Sequence, residues 1–370
     1  MDKKPWVHWN GLDPSAEVYI TWETAAALPS YLSYGTDQSL LTTHLSNTSS
    51  DMLHRFRLAG LAPNTRYYYR VSHDNLTTYA NGTFATASTA TNPSDFSFAI
   101  LSDTQMWMGT GHYERLCRAM ARLQGVSFVA YAGDMAQEHG QFSLLTPESD
   151  QPTLNLFWQY TNLFTSTIPM VPDPGNHDAS DYGNNLYSRY YGLSTPPNHN
   201  YYTFNWSRTQ FVMAEIADTG DTDPDNPYNI EHDAWMNATL ESGMAMDYRV
   251  IVFHRSWYSS YGINHDIDSR LMPIVNRYNV SLVLYGHDHS YERYWVQNHT
   301  LIQLGSGGAF MNTEVQWRPE AQSIRLGPSF TKISCDATGI TITTLSPEMD
   351  VLDNVRLTKD GGLLSPDWII

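Results

Sequence analysis

The sequence predicts an N-terminal all-β sandwich followed by an α/β domain. Short runs of alternating hydrophobicity fill residues 1–90, which is typical of a sandwich. From residue 96 onward, apolar runs end in polar loops and alternate with amphipathic helical patterns, which is typical of an α/β sheet. The small, polar, Pro-containing stretch 86–95 separates the two patterns. We therefore expect one domain over residues 1–90 and a second over residues 95–370.

The strands of the first domain are short and bounded by turn residues. The segment EVYITWE alternates, with Val18, Ile20 and Trp22 on one face. Four further segments have strand character and are separated by turn residues: YLSYG, HRFRLAGL, TRYYYRVSH and NGTFAT.

The second domain opens with a β-α-β unit. The apolar run FSFAIL is followed by GHYERLCRAMARL, in which Leu116, Met120 and Leu123 share one helical face, and then by SFVAYAGD. Strand-then-polar-loop patterns recur to the end of the chain. Helices are expected in EHDAWMNATLES and DSRLMPIVNRY, each directly before another apolar strand.

Composition excludes some classes of function. The 370 residues include 38 acidic and 21 basic side chains, a net charge of −17, and no basic run. Binding of nucleic acid by a charged face is therefore excluded. No apolar stretch approaches the roughly 18 residues of a membrane span, so none is expected.

Glycosylation sequons indicate an exported protein. The start MDKKPWVHW lacks the apolar core of a signal peptide, so we expect a leader that this sequence does not include. Seven N-x-S/T sequons occur in a chain with only 16% charged residues. They lie at Asn47, Asn75, Asn81, Asn205, Asn237, Asn279 and Asn298.

The cysteines and most histidines lack a metal-binding pattern. Cys117 and Cys335 are expected as buried free thiols, although a disulfide between them stays open. Eight histidines have no partner pattern. Four fall in the first domain (His8, His44, His54, His73), and four are expected on the surface or in loops (His112, His139, His199, His232).

Five apolar runs of the second domain are followed by residue types that commonly bind metals. The carboxyl ends of strands in α/β proteins collect ligands at one edge of the sheet, so we expect these side chains to meet. They are Asp103 in ILSDTQ, Asp134 in YAGDMAQ, Asn176 and His177 in PGNHD, His254 in IVFH, and His287 and His289 in YGHDHS.

These residue types suit a two-metal hydrolytic site. Carboxylates, imidazoles and one amide favour Zn, Mn or Fe over the all-oxygen ligands of Ca. A carboxylate between two cations can bridge them. Two ions about 3.5–4 Å apart can generate hydroxide and bind a phosphoryl group. Phosphate-ester hydrolysis is therefore the chemistry that the residues indicate.

The chain resembles the calcineurin-like metallophosphoesterases, and within them the purple acid phosphatases. The resemblance rests on the five motifs, on HRSWYSSYGINHDIDSRLMPIVNRYNVSLVLYGHDHSYERY and on IQLGSGG. It implies two mixed sheets flanked by helices in the second domain. The first domain, with LAPNTRYYYRV, resembles the fibronectin type III-like domain of the plant enzymes. Family enzymes are often dimers, so the resemblance leaves a homodimer open.

The resemblance also implies roles for individual residues, with a metal-bound hydroxide as nucleophile. His177 would face the substrate, and His265 roughly occupies the place of an outer-sphere histidine, with a different spacing. The implied metal ligands are Asp134, bridging both ions, Asp103 and His289 for the first ion, and Asn176, His254 and His287 for the second.

Two positions depart from the purple enzymes. Those enzymes carry a Tyr three residues after the bridging Asp, and its charge transfer to ferric iron gives the colour. Here Gln137 stands at that position, so we expect no purple site and two divalent or mixed-valence ions. Gln105, two residues after Asp103, is open between a weak first-metal ligand and an outer-sphere donor.

Three functions stay open at this point. The first is acid phosphatase-like hydrolysis of small phosphate monoesters, which the acidic insert DTGDTDPDNPYN favours by repelling polyanions. The second is a phosphodiesterase or nucleotide-directed hydrolase, distinguished by the rim loops 105–112, 137–160 and 218–232. The third is an adhesion or binding protein with a dead phosphatase domain. Arg255 is a candidate substrate contact, and packing is the preferred role of Tyr258.

Overall fold

The fold was analysed in a computed structural model of the chain. The structure describes residues 2–105, 111–136, 147–178, 190–191, 200–216, 227–308, 311–359 and 363–365. Within these ranges, side chains are not described for residues 147–153, 227 and 363–365. Gln137, His139, His199 and most of the expected rim loops lie outside the described residues.

The N-terminal part is a five-stranded antiparallel sheet, which confirms the all-β expectation. Its strands are β1 (Lys3–His8), β2 (Val18–Gly35), β3 (Thr43–Leu58), β4 (Arg66–Ser72) and β5 (Ala80–Ala85). The order is β1-β2-β4-β5, and β3 also pairs with β2. The first half of β2 pairs with β1 and the second half with β4. Apolar side chains of both halves share one core.

One strand of this sheet was divided wrongly by the sequence pattern. EVYITWE and YLSYG belong to a single strand, β2, whose pairing with β3 is irregular between Glu23 and Ser30. Residues 25–27 are exposed there, so the alternation of buried and exposed positions is lost in mid-strand.

Among the described residues after the N-terminal sheet, two seven-stranded mixed sheets form the core, as expected. The first has the order β21-β20-β19-β18-β6-β7-β8 and the second β17-β15-β16-β14-β11-β10-β9. The first contains β6 (Phe96–Leu101), β7 (Val126–Ala132), β8 (Met170–Asp173), β18 (Phe330–Cys335), β19 (Gly339–Leu345), β20 (Val351–Thr358) and β21 (Leu363–Ser365). The second contains β9 (Tyr202–Trp206), β10 (Thr209–Met213), β11 (Tyr248–Val252), β14 (Leu282–Tyr285), β15 (Tyr291–Val296), β16 (His299–Leu304) and β17 (Ala321–Arg325). A small hairpin joins β12 (Tyr258–Ser259) to β13 (Gly262–Ile263).

The two large sheets pack face to face. Their inner faces form a continuous core to which Phe98 and Phe128 contribute from the first sheet and Phe211 and Val250 from the second. The rings of Phe98 and Phe211 lie 5.2 Å apart, edge to face, a favourable geometry for an aromatic pair. The strands β6–β7–β8 and β10–β11–β14–β16 run parallel within their sheets, so both sheets present carboxyl ends at one edge.

Helices cover the outer faces of both sheets. They span His112–Met120, Pro147–Thr161, Pro227–Ser242 and His265–Arg277. The first two pack on the first sheet and the last two on the second. Asn264 caps the last helix, because its side chain accepts the N–H of Ile267. Among the described residues, none of the helices is both long and apolar enough for a bilayer span.

The structure answers two questions that the sequence left open, on the cysteines and Tyr258, and corrects the expectation for His232. Cys117 and Cys335 are both buried and free. His232 was expected at the surface but lies buried on the helix Pro227–Ser242, where its Nε2 donates to the carbonyl of Ala214 over 2.6 Å. Its neighbours Glu231 and Asp233 are charged and indicate a surface position, so the local sequence carries no signal for that hydrogen bond. Tyr258 is buried and donates to Asp268, which confirms packing as its role.

The N-terminal sheet is joined to the second domain through buried side chains. The indole rings of Trp6 and Trp158 lie 4.2 Å apart, and Trp9 enters the core between the two large sheets. Lys3 forms a buried ion pair with Glu23, whose carboxylate also accepts the hydroxyl of Tyr190 at 3.1 Å.

Candidate metal centre

The residues of the five motifs lie at the shared carboxyl edge of the two sheets. Asp103 follows β6, Asp134 follows β7 and Asn176 follows β8 in the first sheet, while His254 follows β11 and His287 follows β14 in the second. Each strand therefore delivers a polar side chain to the edge where the sheets meet.

Three of these residues have left-handed backbone conformations. Asp103, Asp134 and His287 have φ values of 58°, 51° and 81°. Such conformations cost energy in non-glycine residues and cluster at functional sites. Neighbouring glycines permit the close approach of the loops. A Cβ at Gly175 would collide with Asp134, and one at Gly286 would collide with Ser102 and Asp103.

Asp134 stands between two groups of donor atoms. One group faces its Oδ2 atom, which lies 3.3 Å from Nε2 of His254. Three atoms converge there: Oδ1 of Asn176 lies 3.0 Å from Nε2 of His254 and 2.9 Å from Nδ1 of His287, and those two nitrogens are 3.3 Å apart.

The second group contains Asp103 and His289. The Oδ1 atom of Asp103 lies 3.4 Å from Nε2 of His289. Donor atoms of Asp103, Asp134 and His254 all lie within 4.8 Å of one another, and all three residues are buried. Both predicted ligand sets are therefore brought together, with Asp134 beside each.

The donor atoms fit metal ions. Among the residues that the structure describes, the buried Oδ1 of Asp103 has no well-formed hydrogen bond, and Nε2 of His289 approaches it only to 3.4 Å. A buried carboxylate oxygen without a donor is costly unless a cation contacts it. The mixture of carboxylate oxygen, amide oxygen and imidazole nitrogen suits Zn, Mn or Fe.

Burial and neighbouring charges shift the pKa values of residues in the cluster. Burial opposes protonation of His254, but the charge of Asp134 outweighs it and raises the pKa of His254 to about 10. Burial also opposes ionisation of Asp103, yet its interaction with His289 and the charge of His254 lower its pKa. Burial and the charges of His254 and Arg255 lower the pKa of His287 to about 4, so this ring is neutral at physiological pH.

His177 and Gln105 both contact Asp134. The backbone N–H of His177 donates to Oδ1 of Asp134 at 2.8 Å, and its Nε2 lies 3.8 Å from Oδ2. The side chain of His177 is 15% exposed and so borders solvent at the cluster. Gln105 donates from Nε2 to Oδ2 of Asp134 at 3.0 Å, while its buried Oε1 has no hydrogen-bond partner among the described residues.

His265 is placed apart from these contacts. It is the first residue of the helix His265–Arg277 and is exposed. Within the described part of the chain, no recorded contact joins it to the candidate ligands. Arg255 does reach the cluster, because its NH1 donates to Nε2 of His287 at 2.9 Å.

Asp178 is a site residue that the sequence analysis missed. Its buried carboxylate accepts the N–H groups of Met135, Ala136 and Gly175 over 3.0–3.1 Å. It thereby joins the loop that carries Asp134 to the loop that carries Asn176. Burial and the charge of Asp134 raise the pKa of Asp178 to about 7, against the effect of these hydrogen bonds. The acidic residue that ends PGNHD was the available signal.

Gln303 is a second residue that the pattern did not reveal. It is buried on β16, and its Nε2 donates to the carbonyls of Gly286 and Asp288 at 2.5 and 2.6 Å. These two carbonyls flank His287, so Gln303 fixes the turn that carries the histidines. An isolated Gln within an apolar strand is a weak signal for such a role.

Comparison with known proteins assigns the class of protein that this fold and cluster define. A family model described as calcineurin-like phosphoesterase matches residues 96–291, just over half of the chain, so the chain belongs to the calcineurin-like phosphoesterase family. A second model, described as purple acid phosphatase, N-terminal domain, matches residues 6–90. The family match agrees with the cluster of candidate metal ligands at the edge of the two sheets.

The relatives narrow the resemblance to purple acid phosphatases, which are phosphoric ester hydrolases. Purple acid phosphatase 21 of Arabidopsis thaliana is 24% identical over 268 residues, covering 66% of this chain and 54% of the relative. The chain thus spans about half the length of that relative.

Two solved structures share the fold. The yellow lupin (Lupinus luteus) purple acid phosphatase PPD1 matches with a TM-score of 0.74 and 16% identity, covering 96% of this chain and 74% of that one. The structure of PhoD matches with a TM-score of 0.73 and 14% identity, covering 100% and 92%.

Proposed function

We propose that this protein hydrolyses small phosphate monoesters at a two-metal centre. The observation that carries the proposal is the position of Asp134, whose carboxylate lies beside one donor group containing Asn176, His254 and His287. A second group, Asp103 and His289, completes the cluster. One shared carboxylate between two donor groups is what a pair of cations requires.

Each side chain has a distinct task in this proposal. Asp134 would be shared by both ions, Asp103 and His289 would hold the first, and Asn176, His254 and His287 the second. Bound ions would supply a nucleophile from water and positive charge for the phosphoryl group. Gln105 orients Asp134 through its amide, and an additional bond from its Oε1 to the first ion stays open.

His177 and Arg255 would act on the substrate. The half-buried His177 can donate to a phosphoryl oxygen or protonate the leaving oxygen, because its ring borders both Asp134 and solvent. Arg255 supplies a fixed positive charge beside His287. An outer-sphere role for His265 requires its exposed ring to reach the substrate from the start of its helix.

The test combines metal analysis with two substrates. Chelator-treated protein is reloaded with Zn, Mn or Fe, metal per chain is measured, and p-nitrophenyl phosphate is compared with its bis ester. We expect about two ions per chain and faster cleavage of the monoester. Faster cleavage of the bis ester would identify a phosphodiesterase.

A non-enzymatic role is the other alternative. It predicts loss of ligand residues, yet every expected ligand position holds a residue of the expected type except the Tyr replaced by Gln137. Absence of bound metal and of turnover after reloading would favour this alternative.

We also propose export of the protein. Six of the seven sequon asparagines are exposed and Asn237 is half-buried, so an oligosaccharide could be attached at most sites without disturbing the core. Secretory expression followed by glycosidase treatment tests this: a shift in electrophoretic mobility is expected, and unchanged mobility would contradict it.

A further inference from the structure

Two elements that border the candidate metal centre meet at one buried carboxylate. We call residues 286–290, which carry His287 and His289, the histidine turn, and residues 255–264, which follow His254, the lip loop. Glu292, on β15, is fully buried beneath both.

The carboxylate of Glu292 accepts four hydrogen bonds. Ser260 of the lip loop donates its N–H to Oε2 and its hydroxyl to Oε1, both at 2.8 Å. Ser290 of the histidine turn donates to the same Oε1 at 2.6 Å. The hydroxyl of Tyr294 donates to Oε2. A single oxygen atom therefore joins the lip loop to the residue that follows His289.

The lip loop contacts the histidine turn at its start. At its start, Arg255 contacts His287, and the hydroxyl of Ser256 donates to the carbonyl of Gly286 at 3.1 Å and accepts the N–H of Asp288 at 3.2 Å. At its tip, Tyr261 is 64% exposed next to the clamped Ser260. The exposed tip is thus linked to the histidine turn through Glu292.

Fold stability does not explain a carboxylate at this position. Glu292 lies directly opposite the buried Gln303 in the pairing of β15 with β16. An apolar pair there would avoid the desolvation cost of a buried carboxylate. The carboxylate instead provides directional hydrogen bonds, which fix two serines that belong to different elements of the site.

We propose that Glu292 is a positioning residue that couples the lip loop to the histidine turn. The bond to Ser290 holds His289 toward the metal, and the bonds to Ser260 hold the lip loop toward the substrate. The role of the lip loop in substrate binding rests on the proposed function, whereas the role of Ser290 in metal binding does not.

Single substitutions test the role of Glu292 in metal binding and its role in substrate binding separately. Ser290→Ala, Ser260→Ala and Glu292→Gln are compared with Glu241→Gln, an exposed glutamate on the helix Pro227–Ser242 that serves as a matched control. The first readout is the affinity of chelator-stripped protein for Zn²⁺ by calorimetry, which needs no turnover. The second is KM and kcat for p-nitrophenyl phosphate, with circular dichroism melting curves to verify folding.

The proposal predicts that the substitutions affect Zn²⁺ affinity and KM separately. Ser290→Ala weakens Zn²⁺ affinity by about tenfold or more, as loss of outer-sphere partners of metal ligands commonly does. Ser260→Ala raises KM and leaves Zn²⁺ affinity unchanged. Glu292→Gln does both, because its amide cannot accept all of these donors. Adding Ser260→Ala to Glu292→Gln raises KM by less than the product of the two single effects, since both changes disturb the contact between residues 260 and 292.

Other patterns overturn the proposal. If folded Glu292→Gln keeps normal Zn²⁺ affinity and KM, or if its KM effect multiplies with that of Ser260→Ala, then Glu292 only supports the fold. Absence of phosphatase activity in the loaded unmodified protein would refute the proposed function instead. In that case the Zn²⁺ affinities of Ser290→Ala and Glu292→Gln alone decide the metal side: a loss in both supports the coupling to His289, and normal affinity refutes it.

Discussion

The Nδ1 atom of His254 lies 2.8 Å from the carbonyl oxygen of Ala132, the last residue of β7. A carbonyl oxygen only accepts hydrogen bonds, so Nδ1 carries the proton. Its other nitrogen, Nε2, faces the acceptor oxygens of Asn176 and Asp134, where a bound cation would take the place of its second proton. A backbone group of the first sheet thus sets the tautomer of a histidine from the second.

This arrangement predicts different metal stoichiometries for two substitutions. Asp134→Asn should reduce bound metal from about two ions to below one, because it removes the shared negative charge. His254→Asn should remove mainly the second ion. Turnover should fall by about 10²-fold or more in both variants. Elemental analysis and p-nitrophenyl phosphate hydrolysis check this, with exposed Asp350→Asn as control. Full turnover in Asp134→Asn would refute the two-metal mechanism.

Replacement of Asp178 should destabilise the protein and weaken its metal binding together. Asp178→Ala leaves the N–H groups of Met135 and Gly175 buried without an acceptor. The free energy of unfolding should fall by about 3 kcal/mol in urea titrations, and Zn²⁺ affinity should fall with it. Asp74→Ala is the matched control, because exposed Asp74 also accepts two backbone N–H groups. Equal effects of the two changes would contradict a special role for Asp178.

The N-terminal sheet should lose stability at acidic pH through His54. Burial, then the charge of His73, lowers the pKa of His54 to about 4, while Asp51 and Glu23 oppose this. Because the unfolded chain binds the proton at about pH 6.5, the free energy of unfolding should decrease as pH falls from 6.5 toward 4. We expect His54 to account for about 1–2 kcal/mol of that decrease after allowance for partial solvent screening.

Urea denaturation between pH 7 and pH 4.5 measures this slope. His54→Gln should flatten it, whereas His44→Gln, at an exposed position of the same strand, should leave it unchanged. Parallel pH profiles for the unmodified protein and His54→Gln would exclude His54 as the source.

Gln137→Tyr should produce colour when the protein is loaded with ferric iron. The purple enzymes owe their absorption to a tyrosinate at the matching position, and this chain has glutamine there. We expect no visible charge-transfer band in the unmodified protein and a new band in the variant. Gln137→Phe provides the control without a phenol. A colourless Gln137→Tyr variant with iron bound would show that residue 137 does not reach the metal.

The sequence predicted the edge of the sheets where the site lies, but not what holds the site together. Asp103, Asp134 and His254 were visible because each polar residue interrupts an apolar strand pattern. Asp178 and Gln303 act through backbone groups of distant loops, and pairing of that kind depends on three-dimensional proximity rather than on local periodicity. Glu292 sits within the alternating YERYWV strand, where it resembles an ordinary outward-facing polar residue until burial is known.

The division of the chain into two domains was also predicted only in part from the sequence. The change of pattern near residues 86–95 identified two kinds of sheet. It could not reveal that Trp6, in the first strand, and Trp9, directly after it, pack within the second domain, since aromatic residues near a short strand look alike whichever core they enter.

That packing makes the first strand a shared part of both halves. Removal of the N-terminal sheet would leave an indole-sized void beside Trp158 and another among Phe128, Phe204 and Trp206. Loss of one such Trp typically costs about 3–5 kcal/mol. Grafting a foreign sheet onto the catalytic half, or expressing that half alone, would therefore fail unless residues 3–9 were carried along. In evolutionary terms, exchange of the N-terminal sheet between proteins would require residues 3–9 to stay with the second domain.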